Sequence, residues 1–187
     1  EHIKLNKHNP NYLSSAELHP NQLILSNNIN KTVEDYDILV FAIPSAFLTS
    51  ELGKLTTPLT NKVVFSAIKG IVPESGLIVG EHFFKNYNIP YKSIGVITGP
   101  CHAEEVAMER LSYLTIACQD QDQAKKVREC LKSRYLRVKI SDDIIGTEYA
   151  AMLKNIFSIA AGISHGLGYG DNFQSVLMSN SIREMNR

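Results

Sequence analysis

Three short segments carry residue types that neither a core nor a solvated surface requires. The first is Ser66-Ala67-Ile68-Lys69-Gly70, which closes a short apolar run. Ligands of open α/β sheets gather beyond the carboxyl ends of the strands. A lysine there offers its ammonium donors to a phosphate or a carbonyl oxygen. The plainer alternative is a solvent-facing lysine before a turn glycine. The second segment, Thr98-Gly99-Pro100-Cys101-His102-Ala103-Glu104-Glu105, also follows an apolar run. Gly-Pro gives a sharp turn, and a helix starting near His102 would present backbone N–H groups to an anion or a cofactor. Its alternative is an ordinary strand-to-helix connection. Cys101 and His102 are a poor thiol dyad, because adjacent side chains rarely face each other and such pairs are assembled from distant sequence.

The third segment is Lys154-Asn155, in the middle of an apolar helical stretch. Lysine is seldom buried without a reason. Its helical neighbours Ala150, Ala151 and Ser158 are small, which predicts a recess beside Lys154 where another molecule can approach. Desolvation there would lower its pKa toward neutrality and suit it to general acid–base work. The alternative is a lysine that snorkels to the surface. Gly166-Leu167-Gly168-Tyr169-Gly170 follows a helix rather than a strand, so it fails as a dinucleotide fingerprint and reads as a helix stop. The six histidines contain no H-x-x-x-H pair, and the three cysteines no C-x-x-C, so no metal site is expected.

The elements that must position these residues follow from hydrophobic patterning. Residues 21–26, 37–43, 62–67, 94–97, 113–118 and 135–140 are short apolar runs bounded by turn residues and read as buried strands. Helical stretches lie between them at 45–55, with Ser45 as N-cap, and at 76–87 and 122–134. Alternation of this kind predicts parallel βαβ units in an α/β sheet. From residue 142 no strand candidate remains. Residues 142–165 form one long helix, apolar on nearly all faces and therefore expected to be enclosed, and 172–185 form another. The boundary falls near Ser141. The fold expected is α/β, an incomplete Rossmann-type parallel sheet over 1–141 followed by the start of an all-helical domain over 142–187.

Composition narrows the function classes. The 187 residues hold 19 Lys plus Arg against 19 Asp plus Glu, and 44% are hydrophobic. That balance favours neither nucleic acid nor a membrane surface. No apolar run is long enough to span a bilayer, residues 1–11 lack the apolar core of a signal peptide, and an odd cysteine count suits reduced thiols in a cytoplasmic protein.

Read together, VFAIPSAFL (40–48), SAIKGI (66–71), TGPCHAEEVA (98–107) and EYAAMLKNIFSIAAGISHGLGYGDN (148–172) resemble the bacterial NAD(P)-dependent glycerol-3-phosphate dehydrogenases, in the family's order along the chain. Residues 1–13 also look like the segment after the family's second strand. The resemblance implies reduction of dihydroxyacetone phosphate to sn-glycerol 3-phosphate with NAD or NADP as cofactor, a step that supplies glycerophospholipid backbones. It implies a dinucleotide-binding domain followed by a helical substrate domain. On it, Lys154 matches the catalytic lysine that exchanges a proton with the substrate oxygen. Lys69 matches a lysine touching both cofactor and substrate. Gly99, Cys101 and Asn155 match substrate-site positions, Ala103 a cofactor contact, and Tyr12 a cofactor-side position.

Cys101 stands where the family commonly has Ser or Thr, and a thiol is the weaker donor. The sequence contains no G-x-G-x-x-G and none of the family's later phosphate-holding motifs. It reads as a central piece of a longer enzyme, expected to bind cofactor poorly and to turn over little by itself. Its incompletely covered helices predict a homo-oligomer. Two other classes share the layout. One is the 6-phosphogluconate and 3-hydroxyacyl-CoA dehydrogenases with the ketopantoate reductases. The other is a non-catalytic protein that reuses the fold.

Overall fold

The apolar runs at 37–43 and 62–67 become β1 (Ile38–Phe41) and β2 (Val63–Ser66), paired in parallel from Ile38 opposite Val63 to Phe41 opposite Ser66. The computed structural model describes residues 2–186; Glu1, which opens the 1–13 stretch, and Arg187 lie outside them. Helix α1 (His2–Asn6) and helix α2 (Ile29–Asp35) precede β1, and α3 (Ser45–Leu52) follows it. After β2 come a small antiparallel hairpin, β3 (Ile71–Val72) with β4 (Leu77–Ile78), and then α4 (Val79–Tyr87). The chain continues through β5 (Ile94–Thr98), the short helix α5 (Ala103–Ala107), β6 (Ser112–Cys118), α6 (Gln121–Leu131) and β7 (Leu136–Ser141). It ends in α7 (Ile144–Gly166) and α8 (Asp171–Met185).

The main sheet has five strands in the order β1-β2-β5-β6-β7. One face is covered by α3 and α4, through Leu48, Leu52, Val64, Val79, Phe83 and Ile94. The other is covered by α6, through Phe65, Ile97, Ile116, Ala124 and Val127. Burial on both faces explains why the parallel strands read as unbroken apolar runs. The α/β class is as expected, with a helical region following the sheet.

Four details differ from the sequence reading. The sheet is not all parallel, because β6 runs antiparallel to β5. A parallel return needs a crossover that carries the chain back along the sheet. The five residues of α5 span only about 8 Å, so the chain turns back at the edge where β5 ended. Residues 21–26 form no strand. They hold a 3-10 turn (Pro20–Gln22) and a run in which Ile24 is 83% exposed, with no neighbouring strand to pair with among the described residues. Ser45 is the first helical residue of α3 rather than its cap; Pro44 holds the cap position, and no side chain closes it. Finally, α7 is not enclosed. Only Ile144, Glu148, Ala151 and Ser164 are buried along it, whereas Ile156, Ile159 and Ile163 stay exposed.

Helix ends are set locally. Asp120 accepts from the N–H groups of Asp122 and Gln123 at the start of α6, and Asp143 accepts from Gly146 N–H at 2.7 Å at the start of α7. α7 stops at Gly166, followed by Gly168 at φ 81°, so the glycine run ends the helix as its composition predicted. Gln174 of α8 then donates to Ala161 O and to Ser164 Oγ at 2.7 Å, tying the two last helices together.

Candidate active site

The carboxyl ends of β2 and β5 lie side by side, since the two strands pair in parallel. At the end of β2 the chain is fixed before it turns. Ala67 N–H donates to Phe41 O at 2.8 Å, and Ile68 N–H donates to Ser66 Oγ at 3.2 Å, with Ile68 buried. Lys69 follows, exposed, and Gly70 at φ 117° makes the turn that a side chain would strain. The backbone that carries Lys69 is therefore well anchored at the strand end.

At the end of β5 the requirement for glycine is steric as well. Gly99 has φ 149°, and a Cβ there would sit 2.3 Å from the carbonyl oxygen of Tyr113. Tyr113 N–H in turn donates to Pro100 O. The Gly-Pro turn is pressed onto the first residues of β6, and Cys101 follows directly from it. Cys101 is half-buried. Burial pushes its thiol pKa up, and the nearby Lys69 ammonium pulls it down without cancelling the rise. His102 lies 2.9 Å from Glu104 through its Nδ1, so its partner is a carboxylate on its own helix rather than the thiol.

Helix α7 supplies the third side. A cavity of about 270 Å³ lies between the Gly-Pro turn and this helix, lined by Thr98, Gly99, Pro100, Thr115, Thr147, Ala150, Ala151 and Lys154. The recess expected beside Lys154 is present, and two of the small neighbours, Ala150 and Ala151, help form it. The expected desolvation is not. Lys154 is exposed. A larger recess of about 320 Å³ runs along β1, lined by α2, β1 and α3 residues such as Ile29, Ile38 and Val40, and it includes none of the candidate residues.

The structure thus brings Lys69, Gly99, Cys101 and Lys154 to one edge of the sheet: Lys69 acts on Cys101, and Gly99 shares a cavity with Lys154. Three candidates are not gathered there by any described contact. Asn155 is exposed on α7 and is not among the cavity-lining residues, and Ala103 is the exposed first residue of α5. Tyr12 is 74% exposed in the irregular segment after α1, its N–H bonded to Asn9 Oδ1.

Sequence reasoning overlooked Thr115 and Glu148. Thr115 is a polar residue in an apolar strand, directly opposite Thr98 in the β5–β6 register, and the pair forms part of the cavity wall. Glu148 is 5% exposed, and both carboxylate oxygens accept from the N–H of Gly80, at 2.9 and 3.2 Å. The Gly80 N–H and the neighbouring Val79 backbone favour the ionised form. Burial nevertheless lifts its pKa from 4.5 to about 7. The available signal was a carboxylate on the Ile144–Ala151 stripe, where an acid needs a partner.

Comparison with known proteins separates the candidate families. The profile described as NAD-dependent glycerol-3-phosphate dehydrogenase N-terminus matches residues 1–124, and the C-terminus profile of the same family matches residues 143–187. The chain belongs to the NAD-dependent glycerol-3-phosphate dehydrogenase family. It is 37% identical to the glycerol-3-phosphate dehydrogenase [NAD(P)+] of Exiguobacterium sp., over 100% of this chain and 56% of that protein. With the corresponding protein of Lysinibacillus sphaericus it shares 36% identity, over 96% of this chain and 53% of the relative. The chain therefore spans about half the length of these relatives. Among solved structures, the Plasmodium falciparum glycerol-3-phosphate dehydrogenase superposes with a TM-score of 0.88 at 25% identity, over 98% of this chain and 52% of that one. The Coxiella burnetii glycerol-3-phosphate dehydrogenase gives 0.82 at 26%, over 99% and 56%.

The glycerol-3-phosphate dehydrogenase family uses a nicotinamide cofactor, and the described residues suit one end of it. Lys69 is exposed at the end of β2, and at the adjoining Gly70 an added Cβ would meet only Ser45 Oγ at 3.8 Å, which leaves room for a flat ring and a carbonyl to approach; at Gly99 the corresponding space is filled by Tyr113 O. Among the described residues no helix is long and apolar enough to cross a membrane.

Proposed function

We propose that the whole protein reduces dihydroxyacetone phosphate to sn-glycerol 3-phosphate with NADH or NADPH, and that Lys154 is its proton donor. The observation that carries this reading is the shared cavity of Lys154 and Gly99 at the carboxyl edge of the sheet, with Lys69 beside Cys101 at the same edge. When bound, the reduced nicotinamide supplies a hydride to the carbonyl carbon. The electron pair of the C=O bond moves onto oxygen, which takes a proton from the Lys154 ammonium and becomes the product hydroxyl. In the oxidative direction the neutral amine takes that proton back. Lys69 stabilises the negative charge developing on oxygen, and such fixed charge is among the largest contributions to lowering a barrier of this kind. Cys101 and Asn155 contact the substrate, Gly99 forms part of the wall beside it, and Ala103 and Tyr12 lie on the cofactor side.

The same reading divides the chain into a cofactor domain over 1–141 and a helical substrate domain from 142. Its support is the change from strand–helix alternation to helices alone after Ser141. It includes a small-molecule substrate, a homo-oligomeric assembly and a cytoplasmic location. The test is an assay of the natural gene product, following NADH and NADPH oxidation with dihydroxyacetone phosphate. Lys154→Ala is expected to lose on the order of 10²- to 10⁴-fold in kcat, the usual worth of a positioned acid. Its melting temperature should barely move, because Lys154 is exposed. Wild-type activity on a β-keto acid but not on dihydroxyacetone phosphate would overturn the assignment.

A further inference from the structure

α7 meets the sheet through a single short stripe. Ile144, Glu148 and Ala151 are its buried residues there, at helical spacings that place them on one face. Thr147, Ala150, Ala151 and Lys154 form the adjacent stripe, which lines the cavity. The polar member of the docked stripe is Glu148. Its carboxylate takes the N–H of Gly80, the second residue of α4, on both oxygens. The first N–H groups of a helix have no partner within it and carry its positive dipole end. A carboxylate satisfies both needs, so the contact fixes α7 in direction as well as in depth. Apolar packing alone would let the helix roll. At the roughly 6 Å radius of a helix with its side chains, a roll of about 10° carries a group through about 1 Å.

We infer that Glu148 is a positioning residue for the reaction: by pinning α7 to the first turn of α4 it sets where Lys154 stands over the Gly99–Pro100 turn. This rests on the role proposed for Lys154. Glu148 touches neither the cavity nor the reacting atoms; it acts through the helix. The tightness of the joint is visible from the other side, since a Cβ on Gly80 would lie 2.8 Å from Glu148 Oε2. The joint can therefore be disturbed from α4 without altering Glu148.

The test uses the natural gene product with NAD(P)H and dihydroxyacetone phosphate. Displacement of a reacting group by about 1 Å costs on the order of 10²-fold, so Glu148→Ala should lower kcat by roughly 10- to 100-fold while the cofactor KM stays within about twofold. Glu148→Gln keeps one acceptor for the Gly80 N–H and should lose less than the alanine variant. Gly80→Ala, which leaves the carboxylate in place but pushes on it, should lower kcat in the same pattern. Unchanged kcat in Gly80→Ala, or equal losses in the Gln and Ala variants, would overturn the proposal. If the wild type does not turn over dihydroxyacetone phosphate, the reading of Lys154 fails. A crystal structure of Gly80→Ala then decides the positioning claim alone. A Lys154 Cα shifted relative to Gly99 supports it, and an unmoved one refutes it.

Discussion

The Lys69 ammonium acts on the Cys101 thiol across the ends of two paired strands, yet the thiol still titrates above its ordinary range because burial outweighs the nearby charge. A thiol in that state is protonated at neutral pH and serves as a weak hydrogen-bond donor. Alkylation by iodoacetamide at pH 7, read by peptide mass mapping, should therefore label exposed Cys130 well before Cys101. Lys69→Ala should slow Cys101 further, because the group that lowers its pKa is gone. Faster labelling of Cys101 in that variant would show that Lys69 shields the thiol sterically instead.

Gly99 admits no side chain. Its φ of 149° and the 2.3 Å that would separate an added Cβ from Tyr113 O act together. Gly99→Ala should destabilise the fold by roughly 1–3 kcal/mol, the typical cost of one strained backbone position. A urea melt with unchanged midpoint would contradict this. Gly162→Ala is the natural control, since a Cβ there meets nothing within 4 Å.

Glu148 makes stability depend on pH in a defined direction. Its folded-state pKa of about 7 exceeds the 4.5 of the free side chain, so the folded protein holds this proton more tightly than the unfolded one. The contribution is complete below about pH 4.5 and is lost as pH rises through about 7, amounting to something on the order of 3 kcal/mol. Glu81 on α4 reinforces the shift by repulsion, and the Tyr91 phenol before β5 is pushed up by burial first and then by Glu81 and Glu148. Denaturant melts from pH 4.5 to 8 should show this downward trend in wild type and a flatter one in Glu148→Gln. Parallel curves would mean the carboxyl is solvated.

Much of the frame was legible because burial leaves a plain mark on sequence. Val63–Ser66 and Ile94–Thr98 are covered on both faces and read as apolar runs; the Lys69, Gly99 and Lys154 segments lie at the ends of such runs or on an evident helix. What stayed hidden depends on partners distant in the chain. The direction of β6 was set by how short α5 is, not by any residue within β6. The two-residue strands β3 and β4 are too brief to carry a period. Leu23-Ile24-Leu25 has the composition of a strand but no ladder to join. Glu148 looked like an ordinary polar residue in a helix, because its partner Gly80 lies 68 positions earlier. Lys154 was expected to be desolvated from helix composition, which cannot report whether a neighbouring helix is there to cover it.

With 23 residues, α7 is about 35 Å long, and it rests on the sheet only over roughly its first two turns. Mechanically it is a lever whose fulcrum lies near Ala151. At about 1.5 Å per residue, a tilt of about 5° there swings Gly166 through about 2 Å but moves the backbone of Lys154 by only about 0.4 Å. Displacements imposed at the far end reach the cavity reduced about fivefold, so whatever docks along the outer half of α7 can shift and settle while Lys154 keeps its place.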